Sequence, residues 1–317
     1  MTGICIKART KNSLGPSPNF IPSLPFHTFL HAILLLLFLA NPALAANDRG
    51  LLLEARNGDK TVYLLGSIHL ADQSFYPLRD TIEKAYRESD ALVVEADVLA
   101  MESDPVLQQK VMLESLYPPG QQLKDHIPPK VYTQLQEWLR KRQIPEANFN
   151  RMRPAIAMIT LSLIEMQARG LDPKAGIDRH FLNQAHKEGK TTLELESVMQ
   201  QLRMLNSLEN PELYLQQTLD QVSEMGTFVP RITKAWKSGN QETIYQLVIQ
   251  ESLNENPEFE PLLELLFYQR NREMAEKIRT LSDKHKKLFV VVGAGHLVGA
   301  QSITELLEKS GFSIEQI

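Results

Sequence analysis

Two stretches of this 317-residue chain place a histidine three residues after a glycine, each behind a run of strand-forming residues. The first is Gly66-Ser67-Ile68-His69, following Thr61-Val62-Tyr63-Leu64-Leu65; the second is Gly293-Ala294-Gly295-His296, following Leu288-Phe289-Val290-Val291-Val292. In open α/β sheets, ligands bind beyond the carboxyl ends of the strands. Glu95 ends the apolar run 91–95, and Glu196 ends the run 191–196. If these strands are parallel, His69, Glu95, Glu196 and His296 share one rim. An imidazole can ligate a metal or exchange a proton near neutral pH. Two histidines with one or two carboxylates suit Zn, Mn or Co, and such a metal acidifies bound water. Without a metal, a histidine would activate water directly while a glutamate orients it. Gly66 and Gly293 are the turn glycines, where the missing Cβ lets the chain bend sharply.

Other chemistry-bearing residues are less pointed. Glu194 and Glu196 share one face of a regular strand, so the pattern leaves open which reaches the rim. His180 and His186 lie six apart on a helix and read as surface residues. No His-Glu-x-x-His, Gly-x-Ser-x-Gly or phosphate-loop motif occurs in the sequence.

The elements that must position these groups follow from periodicity. Asn57-Gly58 between the runs 50–56 and 60–66 predicts a β-hairpin with both turn positions at positive φ. Helical spacing over 78–89 and the strand 91–95 complete a βαβ unit, hence a parallel pair. Residues 105–117, 129–142, 153–169 and 176–188 read as helices, 191–196 as a short strand, and 197–285 as helices again. After the strand 288–292 come a helix over about 299–309 and a closing strand at 312–314. The expected fold is α/β: a mixed central sheet with an N-terminal hairpin, parallel strands ending in the two Gly-x-x-His turns, and a large helical insertion at about 105–285.

Composition bounds the rest. Apolar residues make up 43% and charged residues 23%, with a net charge of -4, which suits a protein with a real core. No basic stripe is present, which argues against a nucleic-acid partner. Residues 1–28 are basic through Lys7, Arg9 and Lys11, the run 29–40 is apolar, and Ala43-Leu44-Ala45 follows. That pattern predicts a signal peptide over 1–45, cleaved near Ala45, and a periplasmic or secreted domain over 46–317. Membrane contact is then expected only through the signal peptide or an uncleaved N-terminal anchor. The domain would keep 31 basic and 38 acidic residues, a net charge of -7. The single cysteine, Cys5, lies in the leader, so disulfides and thiolate chemistry are not expected in the domain.

Taken in order, Tyr63 to His69, Val94-Glu95, Met152-Arg153-Pro154, Gly176-Ile177-Asp178, Leu195-Glu196 with Gln201, Arg270-Asn271 and Val292 to Gly299 resemble the TraB/PrgY/GumN family, whose animal relatives are the Tiki proteins. The likeness spans roughly residues 50–317. It implies a fold related to the erythromycin esterase-like hydrolases and, through the Tiki relatives, a metal-dependent peptidase. It further implies that His69, Glu95, Glu196 and His296 form the active site. Arg153, Gln201, Arg270, Asn271 and Asp178 would be supporting polar groups, with Arg153 or Arg270 binding a substrate carboxylate or oxyanion. Gln200 departs from the family pattern, where an acidic residue often precedes Gln201. The substrate is expected to be a peptide or another small molecule. Two alternatives stand beside the metallopeptidase: a metal-independent, esterase-like hydrolase, and a non-catalytic protein that binds a peptide or polysaccharide precursor.

Overall fold

The computed structural model describes residues 50–317; the expected signal peptide lies outside the described residues. Six strands form one mixed sheet: β1 (Leu51–Asn57), β2 (Lys60–Ser67), β3 (Ala91–Val94), β4 (Thr191–Glu194), β5 (Lys287–Gly293) and β6 (Ser313–Gln316). Their spatial order is β4-β3-β5-β2-β1-β6. β2, β5, β3 and β4 run parallel, while β1 pairs antiparallel with both β2 and β6. Continuous apolar runs in β2, β3 and β5 explain why these strands are central. Leu64, Leu65, Leu92, Val93, Phe289 and Val290 are fully buried, as strands covered on both faces must be. Burying each such side chain contributes ~1.5–3 kcal/mol.

The hairpin forms as expected, with its tip shifted by one residue. Asn57 pairs with Lys60, so Gly58 and Asp59 make the turn, and of the hairpin's residues only Gly58 has positive φ. A glycine at the first turn position satisfies the strand twist without requiring Asn57 to adopt a left-handed conformation.

The stretch 105–285 is not uniformly an insertion. The helix Ile177–Glu188 packs Ile177, Phe181, Leu182 and Ala185 into the sheet core, and β4 joins the sheet beyond β3. A separate core gathers Leu123, Leu135, Leu139, Leu161 and Leu215. At its edge the fully buried Glu165 accepts hydrogen bonds from Trp138 Nε1 (2.6 Å) and Arg169 (2.6 Å) and pairs with Arg142. None of the helices among the described residues is long and apolar enough to cross a membrane.

Candidate functional site

Parallel β2, β3 and β5 end together, so the residues just past them meet at one rim. Their meeting point is Gly293. A Cβ built there would lie 3.3 Å from Glu95 Oε1, 3.5 Å from His296 Cδ2 and 3.7 Å from His69 Nε2. The glycine is needed for this closeness rather than for an unusual φ. Gly66 serves in the same way: a Cβ there would stand 2.7 Å from Leu51 and 3.1 Å from the Ala294 backbone.

Both imidazoles are held through Nδ1. His296 Nδ1 lies 2.6 Å from Asn271 Oδ1, and Asn271 donates through Nδ2 to the Gln301 carbonyl at 2.8 Å. His69 Nδ1 lies 3.3 Å from Asp178 Oδ2. This leaves Nε2 of His69 unheld beside the cavity that His69 lines, while Nε2 of His296 turns to Glu95 and Arg270. Glu95 Oε1 accepts the Gly293 backbone N–H at 2.7 Å and sits 3.8 Å from His296 Nε2.

Arg270 fills the middle of the acidic pair. Its Nη2 donates to Glu95 Oε2 at 2.6 Å and to Glu196 Oε2 at 2.9 Å, and its Nε donates to Glu196 Oε1 at 2.8 Å. Its Nη1 reaches the Leu266 carbonyl at 2.9 Å and His296 Nε2 at 3.2 Å. Gln201 Nε2 donates to Glu95 at 3.2 Å and to Glu196 at 3.0 Å.

The environment divides the two histidines. Burial, at 4% exposure, disfavours charge on His296, and Arg270 adds to this; together they outweigh the nearby glutamates and push its pKa down to about 4. Crowding also opposes charge on His69, but 58% of its side chain remains exposed. The Asp178 carboxylate prevails there, helped by Glu95, and pushes His69 up to about 9. Burial would raise Glu95, yet His296, His69, Arg270 and the Gly293 N–H hold it down at about 2.

The structure therefore gathers His69, Glu95, Glu196, His296, Arg270, Gln201, Asn271 and Asp178. It places Arg153 elsewhere, with its guanidinium 5.1 Å above the Tyr117 ring, on which His126 also stacks. Glu194 is turned away from the cluster, accepting the Asp97 backbone N–H at 2.7 Å. The expectation that Glu196 ligates a metal meets a competing cation, because both of its oxygens face Arg270 and Gln201. Among the described residues, no three His, Cys, Asp or Glu side chains are grouped as metal ligands. As arranged, these residues do not fit a divalent ion. Arg270 has every nitrogen engaged, so it is also not free to bind a substrate carboxylate.

Sequence reasoning missed Phe267, whose ring lies 5.1 Å from that of His296. It stands in the wide π turn Glu264–Tyr268, which also supplies the Leu266 carbonyl. Two cavities flank the cluster and share Gln201: one of about 370 Å³ beside His69 and Glu95, and one of about 330 Å³ beside Glu196 and Arg270.

The TraB/PrgY/gumN family profile matches residues 51–316. The chain belongs to that family. Among its TraB/PrgY/gumN relatives is the uncharacterized protein YbaP of Escherichia coli, 25% identical over 79% of this chain and 89% of its own length. Metalloprotease TIKI1 of Danio rerio is 23% identical over 81% of this chain and 61% of its own length. The Metalloprotease TIKI homolog of Nematostella vectensis is 23% identical over 80% of this chain and 64% of its own length. The match thus leaves more than a third of each Tiki protein without a counterpart here. No solved structure matches this TraB/PrgY/gumN chain.

Proposed function

We propose that this chain is a hydrolase that cleaves peptide bonds, with proton-transfer groups His69 and His296 and a water-orienting Glu95. The observation that carries this reading is the convergence of these three side chains around Gly293, with the two imidazoles biased toward opposite protonation states. Groups whose environments drive their pKa values apart are the natural acid and base of one site.

Glu95 is a weaker base than His296, and its fixed Oε1 can accept a hydrogen bond from a water molecule. Once Arg270 Nη1 releases its Nε2, neutral His296 takes that water's proton there as the oxygen bonds to the scissile carbonyl carbon. The C–N bond breaks as protonated His69 gives its Nε2 proton to the departing nitrogen. Arg270 helps keep Glu95 ionised and ties Glu196 to it, and Asn271 and Asp178 hold the rings in orientation.

Residues 46–317, incubated with end-blocked peptides and followed by mass spectrometry, test the reading. Cleavage is expected, and His69→Ala or Glu95→Gln should reduce it at least ~100-fold with the circular dichroism unchanged. Peptides that bind but emerge intact would point instead to a binding protein.

A metal-assisted version is the second reading, favoured by the Tiki relatives' name of metalloprotease. Anchoring through Nδ1 is also how metal-ligating histidines are held. It requires Arg270 to leave His296 Nε2 and Glu95. Stoichiometric Mn, Co or Zn in protein purified without chelator, with turnover lost on chelation and restored by the metal, would establish it. Chelator-insensitive turnover would support the first.

A further inference from the structure

Ser67 ends β2 and is the register partner of Gly293 in β5. Register partners project to the same face of a sheet, here the face on which Glu95, His69 and His296 surround Gly293. Ser67 is 3% exposed and lines the cavity beside His69, yet its Oγ has no hydrogen-bond partner. Asp178 lines the same cavity, and its Oδ1 is buried and equally unpartnered, while Oδ2 is held by His69. Buried polar atoms in folded proteins are paired, and exceptions call for a bound group that completes them. A lone buried oxygen carries little information; two on one cavity wall, beside the proton-transfer groups, do.

We propose that Ser67 is a substrate-contacting residue that, with Asp178 Oδ1, reads the backbone of one extended substrate residue, whose N–H and C=O point to the same side. The Ser67 hydroxyl donates to the carbonyl oxygen of that residue, and Asp178 Oδ1 accepts its N–H. This inference rests on the peptidase reading of the site and adds which substrate group is recognised. It also separates substrate classes. An ester presents no N–H, so its binding would leave Asp178 Oδ1 unpaired, and sites built to bond such a donor reject analogues that lack it.

The test uses Ser67→Ala in the wild-type protein and in the Glu95→Gln protein. Because the hydroxyl bonds to nothing in the free protein, Ser67→Ala should leave Tm unchanged or raise it. Affinity of the Glu95→Gln protein for an end-blocked peptide, by calorimetry, should weaken roughly tenfold on adding Ser67→Ala. In the wild-type background KM should rise by a similar factor, with kcat and the pH profile little altered. N-methylation of the peptide at one amide should reproduce the loss. A clear fall in Tm with unchanged peptide affinity would make the hydroxyl structural and overturn the proposal. Unchanged Tm and unchanged affinity would leave it serving a bound water only, and would overturn it too. Failure of peptides to bind either protein would do the same. Tight binding without cleavage in the wild type would instead remove the hydrolase reading and leave the contact standing.

Discussion

His69 and His296 bring the same side chain to Gly293 and hold their protons oppositely. Asp178 and Glu95 secure the proton on His69 up to about pH 9, and burial beside Arg270 keeps His296 neutral down to about pH 4. Hydrolysis that uses the first as acid and the second as base should rise as pH climbs through about 4 and decline as it passes about 9. A pH–rate profile with a single limb would break the pairing. Stability carries the same signature. The folded pKa of His296 lies below its ordinary value of 6.5, so its neutral form contributes fully above pH 6.5 and that contribution is lost as pH falls toward 4. Replacing it (His296→Asn) should flatten the acid side of a Tm-against-pH curve. For His69, whose folded pKa is raised, the contribution is complete below 6.5 and disappears as pH rises through 9. Arg270 is the costliest single loss expected. With it gone, Glu95 and Glu196 face each other across a buried space, and Arg270→Met should destabilise by ~3–5 kcal/mol in urea unfolding while abolishing turnover. A variant as stable as the parent would show that the guanidinium is not holding the acids together.

At the level of elements, the rim was legible because parallel apolar strands and two glycine-flanked histidines leave a periodic trace. His69, Glu95 and His296 could be placed from that trace alone. Other features left none. Arg270 lies on a polar helix, Gln269–Ser282, where an arginine reads as a solvated charge until tertiary contacts supply two glutamates. Arg153 matches a family motif, but its local chain position carries it to Tyr117 instead. The π turns Gln246–Gln250 and Glu264–Tyr268 were invisible, since the phase shift from one inserted residue cannot be told from ordinary irregularity over helical segments this short. They matter: Val248 from one and Phe267 from the other close on Gly295, next to His296. Removing that brace (Phe267→Ala) should lower kcat roughly ten- to a hundredfold by loosening the imidazole, with peptide affinity nearly unchanged. Equal losses in kcat and affinity would place Phe267 in contact with substrate instead.

Across the whole molecule, two cores share the work of folding. The helical core depends on Glu165, which satisfies Trp138, Arg142 and Arg169 at once. Glu165→Ala should remove ~3–5 kcal/mol from that half and convert a single thermal transition into two, visible by calorimetry. One broad but single transition would mean that the cores unfold together. The sheet register has a consequence of its own. Leu51, the first residue of β1, pairs with Gly66, so the chain enters the sheet at the rim that carries His69, only two strands from β5. Ile317 donates its N–H to the Leu52 carbonyl at 3.1 Å, so β1 is clamped from both flanks at that same rim.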